Sequence, residues 1–237
     1  MPKTATIIRF DPNGPNGLEE WEQMDYSELV AGEPVQNGHI YHEIEDKGYL
    51  AGVWDCTAFT ETMQPYSVDE YMYFLQGNLT MVLPSGDEID IKPGDAFIIP
   101  KGFECQWKQT GFVHKIFMIL DGPTPQASNA SLERITVPDL SPQTGASDLA
   151  VERTDFVNAA GTMRAGVQTF GVVEQPEIAV TANTLMTVLE GELRLSDGET
   201  TQVFAAGDTA YILQGGTVAL STDAATRIVK ASYAAPV

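Results

Sequence analysis

Few side chains in this sequence are placed to act on a small molecule, and Glu70 stands out among them. It opens the apolar run Tyr71-Met72-Tyr73-Phe74-Leu75, which closes at Gly77. A carboxylate at the head of an apolar strand is costly to bury unless something pairs with it. Burial also perturbs its titration, and an acid or base that works near neutral pH needs that perturbation. Alternate residues of a strand share a face, so Glu70 stands with Met72 and Phe74, and Tyr71 with Tyr73 and Leu75. Cys105 and Trp107 share a face on a later strand by the same rule, and Gln64 and Tyr66 lie just ahead of Glu70. Glu70 is the candidate catalytic residue. Gln64, Tyr66, Glu70, Cys105 and Trp107 are the candidate ligand contacts. An apolar floor, an aromatic wall and a few polar groups are the usual make-up of a small-molecule site.

Each of these residues also has an architectural reading. Trp107 can be plain core. Cys105 can be a small buried thiol, and a neighbouring Glu70 would raise its pKa rather than activate it. Glu70 can be a satisfied acid, bonded to Tyr66, Gln64 or backbone amides. His114 and Lys115 alternate, so one of them faces inward, and its pairing with Glu70 would be an ion pair. His39, His42 and Glu43 suggest a metal motif, but strand residues three apart point to opposite sides. They read as ordinary residues of an outer arm.

The elements that position these residues are strands. From Tyr49 to Leu120, short β-rich runs alternate with turns such as Pro84-Ser85-Gly86-Asp87, Pro93-Gly94-Asp95 and Pro100-Lys101-Gly102. A turn every eight to twelve residues predicts an all-β sandwich or barrel, and no stretch here has a helical period. Residues 1–45 form an N-terminal arm packing on the barrels, residues 46–122 a first barrel, residues 123–150 a Pro-rich linker and residues 151–237 a second barrel. Leu132 to Val137 is a candidate crossing strand within the linker. The second barrel is an internal repeat: Asn183 to Leu193 (NTLMTVLEGEL) matches Asp69 to Leu79 (DEYMYFLQGNL), and Gly207-Asp208 and Gly215 match Gly94-Asp95 and Gly102.

Thirteen Lys and Arg against 33 Asp and Glu give a formal net charge of -20. That balance excludes nucleic acid and anionic membranes as partners, since both need basic patches. No apolar run reaches the roughly 18 residues of a membrane span, and the N-terminus lacks the apolar core of a signal peptide. The expected location is the cytoplasm, with Cys56 and Cys105 as free thiols. The expected state is a monomer, its two barrels forming an internal pseudo-dimer, or a homodimer.

Glu70, Gly77, Gly94-Asp95, Pro100 and Gly102 together resemble the paired motifs of the cupins. The whole chain is similar to a bicupin of the RmlC-like cupin superfamily, two tandem jelly-roll barrels. The stretch from Gly52-Val53-Trp54 to Lys115 resembles the branch that holds ureidoglycine aminohydrolase and the ethanolamine-utilisation cupins. The resemblance places Glu70, Cys105 and Trp107 inside the first barrel. It also implies a divalent metal held by two histidines ahead of the motif glutamate, the glutamate itself and a later histidine, a donor set suited to iron, manganese, nickel or zinc. The upstream places hold Met63, Gln64, Pro65 and Tyr66, and the later one Cys105. In the second copy Thr184 replaces Glu70, Val218 replaces Cys105, and Ala179 and Thr181 stand at the histidine places. The orthodox ligands are missing from both barrels, so no metal or other cofactor is predicted, and the second barrel reads as a structural partner. The function expected is binding of a small polar metabolite in the first barrel, with metal-independent acid/base chemistry at Glu70. The alternatives are a hydrolase similar to ureidoglycine aminohydrolase with atypical metal ligands, or a non-enzymatic sensing or structural cupin.

Overall fold

A computed structural model of the chain describes residues 6–122, 138–139 and 150–234. It is all β apart from two single 3-10 turns, Tyr26–Glu28 and Glu45–Lys47. The chain divides into two compact units, one of Asp11–Val137 and one of Met1–Phe10 with Pro138–Val237. The linker expected at 123–150 and the crossing strand expected at 132–137 lie outside the described residues, save Pro138, Asp139 and Ala150.

Each unit is a pair of antiparallel sheets. In the first unit, one sheet runs Ala96–Ile99, Asp69–Gln76, Val113–Leu120, Tyr49–Cys56, Gln36–Ile44 and Glu19–Glu20 in spatial order. The other runs Glu88–Ile91, Leu79–Val82, Glu104–Gln109, Phe59–Glu61 and Leu29–Ala31, and Gln64–Pro65 also pairs with Glu104–Gln109. The inward faces of these strands meet in one apolar core that includes Trp54, Met72, Phe74, Phe97, Trp107 and Phe117. The second unit repeats the plan and buries Val188, Leu193, Leu195, Phe204 and Ile228.

The repeat extends to individual hydrogen bonds. The Phe74 amide donates to the Asp95 carbonyl at 2.9 Å, and the Val188 amide donates to the Asp208 carbonyl at 2.9 Å. The side chain of Asp95 accepts from the Lys92 amide, and that of Asp208 accepts from the Ala205 amide. These aspartates hold turns, as their sequence position suggests.

The N-terminal 45 residues, expected as an arm packing on the barrels, contribute strands to both units. Ile7–Phe10 is an edge strand of the second unit and pairs with Thr209–Ile212. Gln36–Ile44 is a full member of the first unit's sheet and pairs along Tyr49–Cys56. Ile7 and Phe10 are buried there, and that burial draws a short apolar strand onto an otherwise open sheet edge. His39 and His42 sit on either side of a register shift. Their rings go to different neighbours, His39 to Tyr41 and His42 to Tyr49.

The corner after Asp69–Gln76 requires glycine. Gly77 has φ +84°, and a Cβ there would lie 2.0 Å from the Phe112 carbonyl oxygen. Gly94 has φ +90° but open space where a Cβ would go. The left-handed backbone costs either alanine about 1–2 kcal/mol, whereas Gly77→Ala must also displace backbone. Urea denaturation should therefore show Gly94→Ala mildly destabilised and Gly77→Ala severely so. Equal midpoint shifts for the two variants would contradict the close approach at Gly77.

Candidate functional site

Glu70 reaches the first barrel from the Asp69–Gln76 strand and is 3% exposed. Its neighbour strand, Val113–Leu120, shifts register between His114 and Lys115. The inward residue of that pair is Lys115. His114 turns away, and its Nε2 meets the Pro12 carbonyl oxygen at 2.8 Å. The Lys115 ammonium donates to Glu70 Oε1 at 2.9 Å, and both side chains are more than nine-tenths buried. Tyr66 donates its hydroxyl to Glu70 Oε2. Burial and the Glu70 carboxylate hold the Tyr66 phenol well above its usual pKa, so it stays a donor. Both Glu70 oxygens are thus engaged by protein groups.

Lys115 is boxed by aromatic faces. Its Nζ lies 4.6 Å from the Trp54 ring centre and 4.7 Å from that of Trp107, and 3.2 Å from Met72 Sδ. Cation–π attraction is strongest where water is excluded, and here it supplements the ion pair. The ring nitrogens are satisfied: Trp54 Nε1 donates to Gln36 Oε1 at 3.0 Å and Trp107 Nε1 to Gln109 Oε1 at 2.7 Å. Trp107 therefore belongs to the core and also forms a wall of the cluster.

One member of the cluster was not among the residues singled out from the sequence. Glu61, half-buried at the end of the Phe59–Glu61 strand, has its carboxyl pushed up to about 7. Burial is the main cause, the Lys115 ammonium opposes it, and the Glu70 and Glu28 carboxylates add to it. No hydrogen bond from the described residues reaches the Glu61 carboxylate. Period-two alternation was the signal that could have found it, since Glu61 shares a face with the buried Phe59.

Gln64 sits opposite Cys105 in the strand register, and among the described residues no hydrogen bond joins it to Glu70. Cys105 is a buried free thiol pushed up to about 12, first by burial and then by Glu61, not by Glu70 as the sequence suggests. Cys56, also free, is pushed to about 12 by burial. Neither has the lowered pKa of a nucleophile.

The donor set does not fit a divalent cation. Lys115 places a positive charge against the one carboxylate that the metal motif supplies. Among the described residues, no group of three or more His, Cys, Asp or Glu could hold a metal ion. Catalytic metal sites usually draw three ligands from the protein.

Residues 45–117 match the family profile of the EutQ-like cupin domain. The first unit is thus similar to a cupin domain. No curated protein sequence matches the chain. Among solved structures it is similar to a protein of unknown function from Pseudomonas syringae pv. tomato, with a TM-score of 0.73 and 17% identity over 96% of this chain and 99% of that one. It is also similar to a cupin 2 conserved barrel domain protein from Leptotrichia buccalis, with a TM-score of 0.62 and 13% identity over 91% and 97% of the two chains. The salicylate 1,2-dioxygenase of Pseudaminobacter salicylatoxidans matches with a TM-score of 0.55 and 13% identity over 79% of this chain and 71% of its own. At such identities the likeness is one of fold, and one fold hosts many chemistries. No helix among the described residues is long and apolar enough to cross a membrane.

Removing one member of a buried ion pair leaves an uncompensated charge at a cost of about 3–5 kcal/mol, whereas replacing both with apolar groups is often close to neutral. Lys115→Met should lower the urea midpoint steeply, and Glu70→Leu with Lys115→Met should recover most of that loss. Additive effects in the double-mutant cycle would mean that the pair is not coupled. A second expectation concerns pH. The Glu61 carboxyl titrates near 7 in the folded chain, against an ordinary 4.5. The folded state therefore holds the proton more tightly. The stability that Glu61 contributes is complete below about 4.5 and is lost as pH rises through about 7, a change on the order of 1–3 kcal/mol. Thermal melts at acid and at mildly alkaline pH should show Glu61→Gln abolishing that part of the decline. A Glu61→Gln curve parallel to that of the parent would rule this out.

Proposed function

We propose that the first barrel binds a small polar metabolite and exchanges a proton with it without a metal. The observation that carries this reading is the placement of Glu61, a carboxyl pushed up to about 7 that accepts no hydrogen bond from the described residues, beside the buried Glu70–Lys115 pair. An acid/base group works best with a pKa near the operating pH. In this reading Glu61 carries the proton. Glu70, the candidate from sequence, anchors Lys115 and Tyr66. The ammonium is the donor for a carbonyl or carboxylate of the ligand, and Trp54 and Trp107 exclude water. Proton transfer fits isomerisation, dehydration or hydrolysis, and the ligand classes that suit the cluster are ureides, amino-acid derivatives and sugars.

The reading is tested by a thermal-shift screen of those three classes on the parent chain, followed by turnover assays on whatever binds. A ligand that raises the melting temperature and is converted by the parent, with conversion reduced about 10²–10⁴-fold in Glu61→Gln at unchanged binding, supports proton transfer. Failure of every class to stabilise the parent would remove the proposal. Binding without conversion would reassign the barrel to sensing.

A further inference from the structure

The second barrel differs from the first in what fills it. The strand ladders align the two copies residue by residue. Thr184 faces Ile212 as Glu70 faces Ile99, and Met186 faces Lys230 as Met72 faces Phe117. On that alignment Gln168 stands for Trp54, Val180 for Tyr66, Leu220 for Trp107 and Lys230 for Phe117. Four aromatic side chains give way to smaller or unbranched ones. The space they vacate is a cavity of about 320 Å³ whose lining includes Phe170, Met186, Ile212, Val218 and Leu220. The sequence marks this barrel as a structural partner because it lacks the motif acid. Loss of ring volume is what opens it, and a search for metal ligands does not register that loss.

The cavity carries one cation. Lys230 lies 2.8 Å from Glu152 and donates to Gln168 Oε1 at 3.3 Å. An ammonium has three protons, and among the described residues these two oxygens account for two of them. The Lys230 side chain is 21% exposed and that of Glu152 45%, so the pair is reached from solvent. An ion pair this exposed contributes at most about 1 kcal/mol, and a competing carboxylate can displace Glu152 at little cost. A single ammonium beside the Glu152 carboxylate, on a wall where Gln168, Gln175, Thr181, Thr184 and Ser232 adjoin the apolar residues, does not suit a polyanion, and neither does a chain of net charge -20. The volume holds about ten non-hydrogen atoms, at the roughly 30 Å³ that a liquid water occupies.

We propose that the second barrel is a binding site for a small monocarboxylate with an apolar body. The carboxylate accepts from Lys230, and the body lies against Met186, Val218 and Leu220. The site is independent of the chemistry in the first barrel and goes beyond it.

The full chain titrated with benzoate, phenylacetate and isovalerate, with benzamide as the neutral control, tests this by ligand-observed NMR and thermal shift. At least one of the acids should bind with a dissociation constant on the order of 1 mM or tighter, and benzamide about tenfold more weakly. Lys230→Met should weaken the acid about tenfold or more. Leu220→Trp, which restores the ring of the first barrel, should abolish binding. Glu61→Gln should leave it unchanged, which separates this site from the first barrel. The proposal is overturned if none of the three acids binds the parent chain, if benzamide binds equally well, or if binding survives Leu220→Trp. The first two outcomes require no variant to fold.

Discussion

The Glu70–Lys115 pair constrains the whole interior of the first barrel. Two opposite charges, each more than nine-tenths buried, persist inside a protein only when their geometry and hydrogen bonds offset the loss of water. Here the ammonium has the carboxylate, a thioether and two indole faces, and the carboxylate has the ammonium and a phenol. Satisfying the pair brings Trp54, Trp107 and Tyr66 to one place. It also sets the field that Glu61 feels. A neighbouring anion and burial raise that carboxyl, and the ammonium checks the rise.

The two barrels show one backbone plan carrying two interiors. The corner glycines, the aspartate-held turns and the strand register recur from copy to copy. The side chains that face inward do not. The first barrel lines its interior with rings around an ion pair. The second replaces those rings and retains a cavity with one lysine at its wall. Backbone hydrogen bonds and turn geometry are therefore separable from what the barrel contains, as expected of a fold that supports many chemistries.

Most of the fold was legible in the sequence because its signals are local. Alternation, turn residues at regular spacing and the repeat of glycines each depend on a few neighbours in the chain. The inward set Glu70, Met72, Cys105 and Trp107 follows from alternation and the cupin resemblance. The fate of residues 1–45 was not legible. Which sheet edge takes Ile7–Phe10 is decided by the open side of a strand about 200 residues away, and nothing in the short segment encodes that partner.

By itself, the sequence determined the class of the fold, the duplication, the inward position of Glu70 and the lack of an orthodox metal ligand set. Tertiary structure alone decided three further points: that Lys115 rather than His114 meets Glu70, that Glu61 joins them, and that the second barrel keeps a cavity. The first turns on a register shift between adjacent residues. The second turns on the approach of the Phe59–Glu61, Asp69–Gln76 and Val113–Leu120 strands. The third turns on the summed volume of side chains from several strands. Charge coupling and packing volume depend on distances across the barrel, and these exist only once the chain has closed.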